Sequence, residues 1–148
     1  MTEQNPVAAA PVQERPALQL RTSRGLTKYF FLGILTLGIY PLVVESHISE
    51  ELNTVASKYD GKRTMHYCII FFLLSWLTLN IATIVWYHRT SARMGDELRR
   101  RGIDYDFGAS DFWLWEILGS LILVGPFVYV HKRMKAMNLI NADYNQKG

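Results

Sequence analysis

A single cysteine, Cys68, stands among 148 residues, which excludes an internal disulfide and a cysteine-based metal site. Lying beside an apolar run, it reads as packing. No nucleophile paired with a base, no glycine-rich phosphate cradle and no paired-carboxylate motif occurs. No catalytic residue, cofactor site or metal site is therefore assigned, and the chain reads as non-enzymatic. Charge is also missing over one long stretch. Between Arg63 and Arg89 lie 25 residues without a formal charge, counting His66 and His88 as neutral, more than the roughly 20 a helix needs to cross a bilayer.

The 49% of hydrophobic residues is distributed in blocks. Leu26 to Val44, Ile69 to Trp86 and Phe112 to Val130 each hold eleven Leu, Ile, Val or Phe residues. Eleven such residues favour insertion by roughly 3 to 7 kcal/mol on a biological insertion scale. The first and third blocks have shorter charge-free cores, with Lys28 and Glu116 near their ends, where Lys can snorkel and Glu can stay near headgroups. An all-α, polytopic integral membrane protein is expected, with three hydrophobic helices, kinked or re-entrant, and amphipathic helical continuations. Residues 1–25 carry Pro6, Pro11 and Pro16 and read as a disordered tail; 26–145 read as the membrane domain and 146–148 as a short tail.

After the first block, Ile48, Leu52, Val55 and Tyr59 draw one apolar stripe along a helix. After the third, Met134, Met137, Ile140 and Tyr144 do the same. Such helices lie along a membrane surface, pack on partner helices, or continue a long crossing. An internal repeat underlies the pattern. With an offset of 42, residues 30–53 match residues 72–95 at eight of 24 positions, including Thr36/Thr78, Leu37/Leu79 and Ile39/Ile81. A weaker third copy, offset by 85, places Pro126 on Pro41 and Asn138 on Asn53. Each unit is an apolar helix, a weak point and an amphipathic continuation. Gly38 and Pro41, Asn80, and Gly125 and Pro126 occupy the weak points and read as helix-kink positions.

The run Thr36 to Tyr40 (TLGIY), the pair Leu52-Asn53, the step Gly125-Pro126-Phe127 and the terminal pattern Asn138…Tyr144-Asn145 resemble an uncharacterised bacterial membrane family, domain of unknown function 4234, over about residues 24–145. In the second copy, TLNIA (Thr78 to Ala82) departs from that pattern. The resemblance implies a bacterial membrane protein and supplies no catalytic residue.

His47, His88 and His131 each follow an apolar block and read as interfacial histidines, since no acidic residue recurs with them at a fixed spacing. Glu116 is the one acidic residue inside the three blocks and is the candidate intramembrane polar site. Asp104, Asp106 and Asp111 fit no calcium spacing; Ser110 or Asp111 caps the third helix. Arg99, Arg100, Arg101, Lys132, Arg133 and Lys135 adjoin apolar blocks and point to anionic headgroups rather than nucleic acid. Trp86, Tyr87, Trp113, Trp115 and Tyr129 suit an interfacial aromatic belt.

Lys and Arg number 4, 3, 5 and 4 in the four sections outside the blocks. Alternating crossings would place nine on the N-terminal side and seven opposite, a slight preference for a cytoplasmic N-terminus of a multi-pass protein in the bacterial cytoplasmic membrane. Re-entrant first and third blocks would instead gather basic sections on one face. The expected role is an assembly, scaffold or regulatory component in the bilayer, as a homo-oligomer or with a membrane partner. A small oligomeric pore or carrier, or a lipid-acting enzyme accessory, are the alternatives.

Overall fold

Each apolar block contains a point at which the helix stops and the chain folds back. In the computed structural model, which describes residues 16–148, α1 (Leu26–Leu35) ends at Thr36. The Thr36 hydroxyl donates to the Leu32 carbonyl at 2.6 Å and accepts from the Tyr40 N–H at 2.9 Å. One side chain thus ties the last turn of α1 to the first turn of α2 (Ile39–Asp60). Between them Leu37 (φ 51°) and Gly38 (φ 90°) pass through the left-handed region. The helices run antiparallel, with Tyr29 opposite Glu45 and Gly33 opposite Pro41.

The second block repeats the threonine bonds and the turn. Helix α3 (67–77) is α-helical at Tyr67–Ile69, widens to a π-helical turn over Ile70–Leu74, and closes at Ser75–Leu77. The Ser75 hydroxyl donates to the Ile70 carbonyl five residues back, at 2.7 Å, which supports the wider turn. Thr78 then donates to Leu74 O at 2.7 Å and accepts from Ala82 N at 3.0 Å, the same pair of bonds as Thr36. Leu79 (φ 50°) and Asn80 (φ 69°) make the turn into α4 (Ile81–Arg100). In the third block, α5 (109–122) begins at Ala109–Asp111, is π-helical over Phe112–Leu118 and tightens to a 3-10 turn over Gly119–Ile122. Leu123 (φ 59°) turns the chain into α6 (Gly125–Lys147).

The kinks expected at the weak points are therefore turns. Gly38 and Asn80 supply positive φ, which those residue types tolerate best. Pro41 and Pro126 lie in the first turns of α2 and α6, where a missing N–H breaks no helical bond. The kinked crossings, one of the two arrangements expected for the blocks, are not found among the described residues: no helix there is long and apolar enough to cross a membrane. The physical reason is local: left-handed residues, two in a row in the first two blocks and Leu123 alone in the third, cannot continue a right-handed helix.

Small residues let the two arms of each hairpin meet. A Cβ on Gly33 would sit 3.1 Å from Pro41 Cγ. At the equivalent positions of the second hairpin, the Ser75 and Thr83 hydroxyls hydrogen-bond to one another. In the third, Gly119 faces Gly125 so closely that a Cβ on Gly119 would lie 2.7 Å from Gly125 Cα.

The long arms α2, α4 and α6 form the body. Thr90 and Arg133 hold equivalent repeat positions, together with Ile48, and Arg133 Nη1 donates to Thr90 Oγ1 at 3.3 Å. Matched levels in contact mean that the three long arms run parallel and that all three turns face one end. The two expected amphipathic stripes pack within the chain: Ile48, Leu52 and Val55 share one buried core with Met134, Met137, Ile140 and Tyr144. Tyr59, which continues the first stripe, is half exposed and stacks under the Arg100 guanidinium instead.

The hairpins close into a ring through one repeat column. Asn53 of α2 holds the backbone leading into the second hairpin, its amide donating to Thr64 O at 2.8 Å and its carbonyl accepting from Thr64 N at 2.6 Å. Asn138 of α6 makes the same two bonds to Arg24, ahead of the first hairpin, at 2.8 and 3.1 Å. At the equivalent position in α4, Gly95 lets the chain ahead of the third hairpin lie against the helix, with Phe107 O 2.6 Å from where a Cβ would be. Of the tail expected over 1–25, residues 1–15 lie outside the described residues. Leu20 to Arg24 are docked on α6, held also by Asn141 and Asn145.

Candidate functional site

The end of the molecule bearing the three turns is an apolar surface. Each hairpin is tipped by a leucine at positive φ, and these are among the most exposed side chains described: Leu37 at 94%, Leu79 at 87% and Leu123 at 79%. Ile34, Trp76, Leu77, Leu121 and Ile122 surround them, all strongly exposed. Left-handed backbone disfavours a leucine by about 1–2 kcal/mol, and an exposed apolar side chain gains nothing from packing. The turns nevertheless leave few backbone donors open. The N–H groups of Thr36, Leu37, Gly38, Ile39 and Tyr40 are all bonded within the first hairpin, and Pro41 has none.

Below this surface lies a ring of exposed polar groups, His47, His88 and His131, one from each repeat. They do not converge: His88 Nδ1 accepts from Trp113 Nε1 at 3.0 Å. Among the described residues no group of three or more His, Cys, Asp and Glu side chains could hold a metal.

A buried ion pair joins the long arms at the same depth. Arg133 is 0% exposed and Glu45 1%. Arg133 donates to Glu45 Oε2 from Nη2 at 3.0 Å and Nε at 3.2 Å, and its guanidinium lies 5.4 Å from the Trp86 ring and 5.3 Å from the Tyr87 ring. Tyr29 donates to the other Glu45 oxygen at 3.3 Å, and Tyr129 meets Ser91 at 2.8 Å. Burial opposes the charge on Arg133, but the Glu45 carboxylate holds the guanidinium above the ordinary arginine value. Burial pushes the Tyr129 phenol up to about 12. With three helices supplying Glu45, Thr90 and Arg133, the cluster locks the register of the body and carries no displaceable nucleophile. Sequence reasoning left Glu45 aside and placed Arg133 with surface cations. The signal was the repeat column Ile48/Thr90/Arg133, which faces the axis in every copy.

Glu116, the candidate intramembrane residue, is partly buried in α5, and its Oε2 has no hydrogen-bond partner. Burial and the charge of Glu45 raise its pKa. The other basic candidates are engaged by neighbours: Arg99 by Asp96, Arg100 by Glu97, Arg101 by Glu97 and Asp143, Lys132 by Asp111, and Lys135 by the Tyr105 ring. Asp111 also accepts from Gly108 N at 3.0 Å, capping α5 as expected. Of the aromatic belt, Trp86 and Tyr129 are core residues, 4% and 1% exposed, while Trp113 is open at 45%. Cys68 Sγ packs 3.1 Å from Ser46 Oγ.

No curated protein and no solved structure matches the chain significantly. A family model does match residues 24–96, the first two hairpins with their long arms. Gly125-Pro126-Phe127 and Asn138…Tyr144-Asn145, which resemble the same family, lie outside the matched stretch. The family whose model matches residues 24–96 is the one described as domain of unknown function (DUF4234).

Proposed function

We propose that the protein is a monotopic membrane scaffold, in which the three hairpins insert into one leaflet and the three-armed body stays at the surface as an assembly or regulatory component. The observation that carries this reading is the set of three tip leucines, each exposed and each held in a backbone conformation that disfavours it. A strained apolar side chain at the extreme of every hairpin gains stability only in an apolar solvent. The bonded N–H groups around Thr36 and the absent one of Pro41 support the same reading, because hydrocarbon offers a backbone donor no partner.

The dimensions agree. A short arm of ten residues is about 15 Å long, half of a hydrocarbon core of roughly 30 Å. The ring of histidines then lies at headgroup level. Because every block returns to the side it left, the Lys and Arg of the described residues fall on one face. The even spread of charge between sections follows from this, and the positive-inside preference assigns that face to the cytoplasm.

The test is vesicle flotation with purified protein. Wild type is expected to float with neutral phosphatidylcholine vesicles, and the triple variant Leu37→Asp, Leu79→Asp, Leu123→Asp to stay in the aqueous fraction with unchanged helical circular dichroism. In a Cys68→Ser background, single cysteines at positions 61 and 104 and in both tails should all label from the same side. Labelling of any two from opposite faces would overturn the monotopic reading.

A further inference from the structure

The outer face of the second hairpin carries a groove of about 820 Å³ whose two ends differ chemically. Toward the tip it is lined by Ile70, Leu74, Ile81 and Val85. Residues 81, 85 and 89 follow one another at i, i+4 and i+8 on α4, so the wall changes from apolar to cationic over about 12 Å of helix. At its far end Arg89 faces Lys62 and Arg63, which arrive on the loop after α2.

The cations there are not equivalent. Arg93 is consumed internally, binding both Asp60 oxygens, at 2.6 Å from Nε and 3.1 Å from Nη2, as well as Asn53, Thr64 and Ser57. Burial would raise the Asp60 pKa, but the hydrogen bonds from Arg93 and the Lys62 backbone hold it below the ordinary 3.8. Arg63 and Arg89 are exposed and have no ion-pair partner among the described residues. Asp96, which also borders the groove, is taken by Arg99. The repeat column of Arg89 holds His47 in the first copy and Lys132, neutralised by Asp111, in the third. An uncompensated guanidinium at this level is thus specific to the second hairpin.

We propose that this groove holds one anionic glycerophospholipid, with the phosphate between Arg63 and Arg89 and an acyl chain along Ile70, Leu74, Ile81 and Val85. The inference rests on the monotopic reading, which places the apolar end of the groove in the leaflet and Arg89 at headgroup depth. A phosphate accepts hydrogen bonds from guanidinium forks, and the apolar wall offers the part of an acyl chain next to the headgroup a surface to pack on. The occupant is a lipid rather than free phosphate because the cationic end opens directly onto the apolar wall.

The test compares vesicles of neutral phosphatidylcholine with vesicles containing phosphatidylglycerol, and reads co-purifying lipid by native mass spectrometry. Wild type is expected to prefer the anionic vesicles and to retain one phosphatidylglycerol per chain. Arg63→Gln with Arg89→Gln should weaken anionic-vesicle binding roughly 30-fold, lose the retained lipid, and bind neutral vesicles as wild type does. Val85→Trp, which fills the apolar half without touching charge, should lose the retained lipid alone. Lys58→Gln, on α2 and outside the groove, should leave the retained lipid unchanged. Retention of the lipid by the double variant would overturn the proposal, as would its displacement by inorganic phosphate. Failure of wild type to bind either vesicle would instead remove the monotopic reading on which it rests.

Discussion

Leu37, Leu79 and Leu123 carry a conflict between folding and placement. Each lies in the left-handed region, where a Cβ crowds the following carbonyl oxygen, and each projects away from the core. Glycine at any of these positions removes the conflict. Leu79→Gly is expected to stabilise the fold in mild detergent by about 1 kcal/mol, read as a rise in thermal midpoint, and at the same time to lower the fraction floated with neutral vesicles. A fall in midpoint would show that Leu79 is held by packing. The threonine two residues before each turn glycine or asparagine explains the TLGIY run: Thr36 and Thr78 stitch the helices on either side. The glycine and the repeat were legible from the sequence. The turn was not, because a leucine at positive φ has no signature, and a helical run interrupted by Gly and Pro reads equally as a kink.

At the scale of the helices, the amphipathic stripes of α2 and α6 were legible from periodicity alone, and all but Tyr59 lie in the core. The ion pair that sets their register was hidden, since Glu45 and Arg133 are separated by 88 residues and each adjoins an apolar run where a charge reads as interfacial. Its energetics follow from burial. Glu45→Gln leaves a guanidinium uncompensated among aromatic rings and is expected to destabilise the protein by about 3–5 kcal/mol. The double variant Glu45→Leu, Arg133→Met removes both charges and should recover most of that loss. Denaturant titration of the two variants and wild type checks this; equal loss in both variants would mean that the hydrogen bonds to Thr90 and Tyr29, rather than charge compensation, hold the arms together.

At the scale of the molecule, three like units share one polarity, with apolar turns at one end and paired charges at the other. Block composition made the three apolar helical units legible. Whether a block crosses or returns depends on a few backbone angles, which composition does not encode. The asparagine column was legible as a match between Asn53 and Asn138, but its role needed coordinates, because each amide reads backbone in the next unit and not in its own.

That column also removes any privileged beginning from the ring. Asn138 joins the third unit to the first by the same two bonds with which Asn53 joins the first to the second, and Leu20 N meets Asn145 Oδ1 at 2.6 Å. The order in which the ribosome makes the hairpins is then immaterial to the final architecture. A circular permutant that links residue 148 to residue 16 through a short glycine-serine bridge, with new ends between 103 and 104, is expected to fold with native helical content and a thermal midpoint near that of the parent. A permutant that failed to fold would show instead that the first hairpin must form before the others.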